Sequence, residues 1–310
     1  MNATHHFEQT PDGWLGFELS VLRRLKIRSL ANPFAGEADL DFALKRWGVR
    51  VSTNDVWRWS WSKASARVEN NSERLSVEDV ALVLEDAYVP HYRLANPALR
   101  KWFGETDAWW FDNVRRNAEQ LASPTRRHLA LHLGVMVGDY VLSFDDESRE
   151  LRQPLSRVFQ RLWESEPRPV DNRESNKAAN KEPRDFLSTE QADCLFLRLP
   201  RPARRGARHT AWAWREEWIR GGDGFWDEFE GARAGRLGAR AETRQQYLRH
   251  VEELLAAAAH IPAWAVAFTE DGLINTDEMV ETIRRARKVG TVYTKDFAEL
   301  VGARAVMVTA

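Results

Sequence analysis

The chain has 310 residues, 45 basic and 46 acidic, with a formal net charge of -1; it can bury a sizeable core, and any nucleic-acid surface must be a local patch rather than a property of the whole molecule. Its single cysteine, Cys194, excludes an intramolecular disulfide and a cysteine-based zinc site, and its apolar surroundings suit plain packing. With no apolar stretch of about 18 residues and no basic-then-apolar start, a soluble, cytoplasmic protein without membrane contact is expected.

Residues 15–25, LGFELSVLRRL, carry apolar side chains at helical spacing. A short strand over 28–31 then meets NPFAGEADLDFALKRWG, where Pro33 and Gly36 predict a tight loop, Leu40, Phe42, Ala43, Leu44 and Trp47 a helix, and Gly48 its stop. The β-branched run in VRVSTNDVWRWSW reaches a polar tip at Asn54 and Asp55, completing a parallel βαβ unit. Residues 76–163 are mostly helical in pattern and are read as an inserted lobe. Residues 164–184, ESEPRPVDNRESNKAANKEPR, have almost no apolar content and are read as a polar connector, either a surface loop or a partly disordered segment.

The apolar run from Asp193 to Leu197 predicts a return strand. ETRQQYLRHVEELLAAAAH predicts a helix, AWAVAFT a buried strand and TDEMVETIRRAR a capped helix, with TVYTKDF and RAVMVT as a terminal hairpin or edge strands. The expected organisation is an α/β core over 1–75 and 185–310, with a doubly wound, mostly parallel sheet, a helical lobe over 76–163 and a connector over 164–184.

A strand-to-helix turn holding Pro33, Gly36 and the small Ala35 and Ala38 lets backbone amides approach a ligand at a helix N-terminus. Asp55 lies 19 residues beyond Gly36, where an acid commonly accepts from ribose hydroxyls. The alternative is a plain tight turn with Asp55 capping the next helix. His128 and His132 stand at i, i+4 but lack the glutamate of a zinc-protease motif, so no metal is expected.

In order along the chain, NPFAGEAD, the Asn54-Asp55 pair, a helical insertion and a strand running into a proline turn resemble the Dam-like, adenine-specific DNA methyltransferases over roughly residues 15–287. Looser similarity lies at Phe111, Asp112 and Arg115; Ala267 and Phe268 stand at the family's Ser-Tyr pair, and Gly16 is what remains of its first motif. The resemblance implies a Rossmann-like methyltransferase sheet and an S-adenosylmethionine pocket lined by Asn32, Phe34, Gly36, Ala38 and Asp55. Asn32 replaces the family's leading acid and Ala38 its second glycine, so cofactor binding is expected to be weakened or lost.

The family's catalytic turn is of the DPPY type: an acid and a carbonyl accept from the adenine amine, and an aromatic ring stacks on the flipped base. Here Arg198, Leu199, Pro200 and Arg201 occupy it, and only one of the four positions is kept. Arginine has five donors and no acceptor, and its charge sits badly beside a sulfonium, so the expectation is a catalytically inactive relative. Twelve arginines lie between Arg198 and Arg249, and RPARRGARHTAWAWR interleaves five of them with Trp212 and Trp214. Arg201, Arg204, Arg205, Arg208, Trp212 and Trp214 are therefore the candidate DNA contacts, by phosphate pairing and stacking. The alternative is a solvated loop paired with Glu216, Glu217, Asp223 and Asp227. Three functions follow: a DNA-binding pseudo-methyltransferase, alone or with a methyltransferase or restriction partner; an active enzyme with a rearranged or partner-completed loop; or a protein-protein scaffold.

Overall fold

The computed structural model of the chain describes residues 13–145, 147–201, 206–239, 243–270, 274–297, 299 and 303–310. Its centre is a seven-stranded sheet in the order β3-β2-β1-β4-β5-β7-β6, formed by β1 (Ser29–Asn32), β2 (Arg50–Asn54), β3 (Lys177–Ala179), β4 (Cys194–Arg198), β5 (Ala263–Glu270), β6 (Val292–Phe297) and β7 (Ala303–Thr309). The first five strands run parallel; β7 is antiparallel to both β5 and β6, between which it lies. The expected terminal hairpin therefore forms, with β7 inside the sheet and β6 at its edge.

Both faces are covered because the central strands alternate large apolar side chains. From β4, Leu195 and Leu197 pack under α8 (Pro183–Thr189), α11 (Arg244–Ala257) and α12 (Thr276–Ala286), together with Trp264, Val266 and Phe268 of β5. Cys194 and Phe196 point to the opposite face, toward α1 (Trp14–Leu22) and α2 (Asp39–Arg46). Cys194 is a buried packing residue, and burial pushes its thiol up to about 12. The fold is thus α/β and doubly wound, and the order of strands reverses between β1 and β4. Ligands bind outside the carboxyl ends of strands at such a switch point.

The expected connector contains an element that composition hid. Lys177–Ala179 forms the edge strand β3, paired in parallel with Ser52–Asn54. Polar side chains take the place of apolar burial here: Val51 N donates to Asn176 Oδ1 at 2.9 Å and Asn172 Nδ2 donates to the Val49 carbonyl at 2.9 Å. The Trp61 indole donates to the Ala178 carbonyl at 3.2 Å, closing the edge from the side.

The helical lobe comprises α4 (Val77–Leu84), α5 (Glu105–Ala118), α6 (Pro124–Leu142) and α7 (Leu155–Ser165). Its core also takes in α3 (Arg58–Ala64) and α9 (Ala213–Arg220), which lie outside residues 76–163. Trp214 and Trp218 on α9 sit over Gly138 and Gly134 on α6, so closely that a methyl group at either glycine would fall 2.0–2.1 Å from a tryptophan ring carbon. The glycines make the groove that these two rings fill. The short α10 (Trp226–Arg233) follows α9. No helix among the described residues is long and apolar enough to cross a membrane.

Candidate functional site at the switch point and its neighbouring cavity

The turn after β1 is held together by its own polar groups. Asn32, 1% exposed, donates through Nδ2 to both oxygens of Asp41 at 3.1 and 3.0 Å and accepts from Phe34 N at 3.1 Å. Asp41 also accepts from Thr53 Oγ1 at 3.1 Å. Burial raises the Asp41 carboxyl to about 7, against the lowering effect of Asn32, Thr53 and the more distant Arg198. Gly36 and Ala38 both adopt the left-handed conformation, with φ of 56°. Glycine tolerates this freely, whereas Ala38 holds it under strain at the start of α2.

Asp55 occupies the end of β2 as expected, but it faces inward. Its Oδ2 accepts from Gly36 N at 2.9 Å and Ser60 Oγ at 2.8 Å, and its Oδ1 from Trp57 N at 3.0 Å. Burial pushes this carboxyl up to about 6, offset by those three donors. The carboxylate ties the first turn to the entry of α3, close to the capping role weighed as the alternative. The Asp55 carboxylate and the Gly36 amide thus serve each other inside the chain, and Asn32 serves Asp41.

At the end of β4, Arg198 is consumed by Glu18. Arg198 Nε donates to Glu18 Oε1 at 2.8 Å, and Nη2 donates to Oε2. Glu18, fully buried on α1, also accepts from the Trp14 indole at 3.0 Å. Arg198 itself offers no acceptor to an amine, and the Glu18 carboxylate is fully buried and engaged by Arg198 and Trp14. The Arg198 Nε and one Nη are directed at an internal carboxylate. Leu199 is buried and its N–H donates to the Ala267 carbonyl, while the Pro200 carbonyl accepts from Tyr247 Oη at 2.9 Å. Arg201 is exposed. Sequence reasoning missed Glu18 and Asp41; the available signal was an acid on the buried side of each helix, Glu18 beside Trp14, Val21 and Leu22, and Asp41 beside Leu40 and Leu44.

The expected DNA-contact segment is divided by the structure. Trp214 is fully buried in the lobe core, so it cannot stack on a base; helix α9 turns it toward α6. Trp212 is half-buried and meets Trp57 edge-on at 4.6 Å. Arg208 is paired with Asp227 and Glu230. Arg204 and Arg205 lie outside the described residues. Glu216 and Glu217 do not sit in a solvated loop: Glu216 accepts from Arg58 N, Trp59 N and Arg220, and Glu217 from the indoles of Trp102 and Trp226.

Beside the β4 turn lies a cavity of about 700 Å³, walled by residues 206–209, by the region 229–239 and by α11. Its link to the switch point is Gly238, where a methyl group would lie 3.5 Å from Pro200 Cγ and 3.9 Å from Phe34 Cε1. Trp57 and Phe229 provide aromatic wall, and among the described lining residues Arg208, Arg233 and Arg249 provide positive charge and Glu230 negative charge. No group of three or more histidine, cysteine or acidic side chains among the described residues is arranged to hold a metal ion. No family model matches the chain, and no curated protein matches it either.

Proposed function

We propose that this chain is a methyltransferase-like, DNA-binding protein related to the adenine-specific DNA methyltransferases that does not itself transfer methyl groups, acting in a modification or defence system alone or beside an active methyltransferase or restriction partner. The observation that carries the reading is the Arg198–Glu18 pair at the end of β4. A methyl-transfer site needs an acceptor for the adenine amine at this place, and the chain puts a fixed cation there with its own buried counter-ion. The doubly wound sheet, with its order reversing between β1 and β4, is compatible with the sheet that the resemblance implies. The inward-turned Asp55 supports loss of the cofactor role. The exposed Arg201, with Arg204 and Arg205 of the same sequence run, remains the basis for DNA contact.

Transfer of tritiated methyl groups from S-adenosylmethionine to adenine-containing duplex DNA should stay at background with the purified chain, and clear transfer would refute the proposal. DNA affinity should fall steeply with salt, with a slope of about -0.9 in log-log form per phosphate neutralised, and Arg201→Ala with Arg205→Ala should flatten it.

A further inference from the structure

Arg233, at the end of α10, is 6% exposed. Its Nη2 donates to the Leu237 carbonyl at 3.3 Å, and its Nε has no hydrogen-bond partner. Among the described residues it enters no salt bridge; Glu182 and Asp55 act on it at longer range. Burial lowers its pKa from the ordinary arginine value, the mark of a cation that has left water without a matched carboxylate. Two rings fix it in place, its guanidinium carbon lying 5.4 Å from the Trp57 centroid and 5.5 Å from that of Phe229. Gly238, with φ of 84°, leaves it room, since a methyl group there would be 3.0 Å from Nη2.

This residue lines the cavity of about 700 Å³, a size that suits a small ligand. The charges around the wall do not cancel. Arg208 is matched by Glu230 and Asp227, whereas Arg249 has a surface contact with Glu253 at 3.6 Å. Among the described residues Arg233 is therefore the cation of this wall without a salt bridge, and Arg249 is held by that exposed contact with Glu253; the wall also presents the half-buried rings of Trp57 and Phe229. Guanidinium groups suit a phosphate monoester, whose oxygens accept charge-assisted, forked hydrogen bonds.

We propose that the cavity binds a phosphate monoester carrying a flat aromatic ring, the chemistry shared by a nucleoside monophosphate and the phosphorylated end of a nucleic-acid strand, with the phosphate on Arg233 and Arg249 and the ring against Trp57 and Phe229. The assignment rests on the cavity and stands apart from the reading of the β4 turn. Duplex DNA lacking terminal phosphates tests that other reading separately.

Calorimetry of the full chain with AMP, adenosine, inorganic phosphate and a short single-stranded oligonucleotide, with and without a 5′-phosphate, tests the site. AMP or the phosphorylated strand should bind at least about tenfold more tightly than its unphosphorylated counterpart, as expected when charge-assisted hydrogen bonds are lost. AMP outcompeting the phosphorylated strand identifies a free nucleotide as the source; the reverse order identifies a strand end. Inorganic phosphate should bind more weakly than either, because it lacks the ring. Arg249→Ala, on an exposed side chain, should weaken binding about tenfold with the melting temperature unchanged, and Arg233→Gln should weaken it further. Absence of binding by both AMP and the phosphorylated strand, equal binding of AMP and adenosine, or undiminished affinity in Arg249→Ala would each overturn the assignment.

Discussion

At the scale of single residues, the β4 turn shows how one substitution commits a second. An arginine at the end of an apolar strand is legible in the chain, and its lack of an acceptor follows from chemistry alone. What no local pattern reveals is Glu18, 180 positions away and fully buried. Removing Arg198 leaves that carboxylate in the core with the Trp14 indole as its remaining partner. Arg198→Met should therefore destabilise the fold by roughly 3 kcal/mol in urea denaturation, and adding Glu18→Met should recover most of the loss, because an unpaired buried charge is worse than two apolar side chains. A double variant as unstable as the single one would show that the pair contributes more than mutual neutralisation. Asp55 teaches a related lesson: its place at the end of β2 was readable, but the direction of its carboxylate depends on Ser60 and the Gly36 amide, which spacing does not reveal.

At the scale of elements, periodicity identified most helices and the hydrophobic strands but not how they pair. Strand β3 escaped because its edge position is secured by Asn172, Asn176 and the Trp61 indole instead of an apolar run. The burial of Trp214 escaped for a different reason. The Arg-Trp alternation looks like a nucleic-acid surface, but Trp214 and Trp218 stand four apart on α9 and fill the groove opened by Gly134 and Gly138, four apart on α6. A glycine inside a helix normally costs up to about 1 kcal/mol relative to alanine, so Gly→Ala is stabilising where space allows. Gly16 on α1 meets nothing within 4 Å, and Gly16→Ala should raise the melting temperature. In Gly138→Ala the new methyl would collide with the Trp214 ring, and overpacking of about 1–3 kcal/mol should outweigh the helix gain and lower it. The opposite signs of the two substitutions, read by thermal melting, check the packing directly.

At the scale of the whole molecule, the α/β core and the helical lobe are joined through charge as well as through α3 and α9. Glu37, in the turn after β1, pairs with Arg215 of α9 at 2.7 Å and with Lys63 of α3 at 2.5 Å, and Arg215 continues to Asp139 of α6 at 2.8 Å. Burial raises the Glu37 carboxyl, but Lys63 and Arg215 outweigh it and hold the group at about 2, below its ordinary 4.5. The folded state therefore binds this proton less readily than the unfolded chain, so the stabilisation is present above about pH 4.5 and is lost as pH falls toward 2. Asp41 works in the opposite sense: raised from 3.8 to about 7, it makes the fold less stable as pH rises through that interval. Glu37→Gln isolates the first effect. In urea denaturation the variant should be less stable than the parent at pH 7, and the gap should narrow as pH falls from about 4.5 toward 2, where the Glu37 carboxyl of the folded state begins to take up its proton. A gap that persisted in acid would mean that Glu37 holds the lobe by hydrogen bonding and shape, and that its charge contributes nothing to the joint.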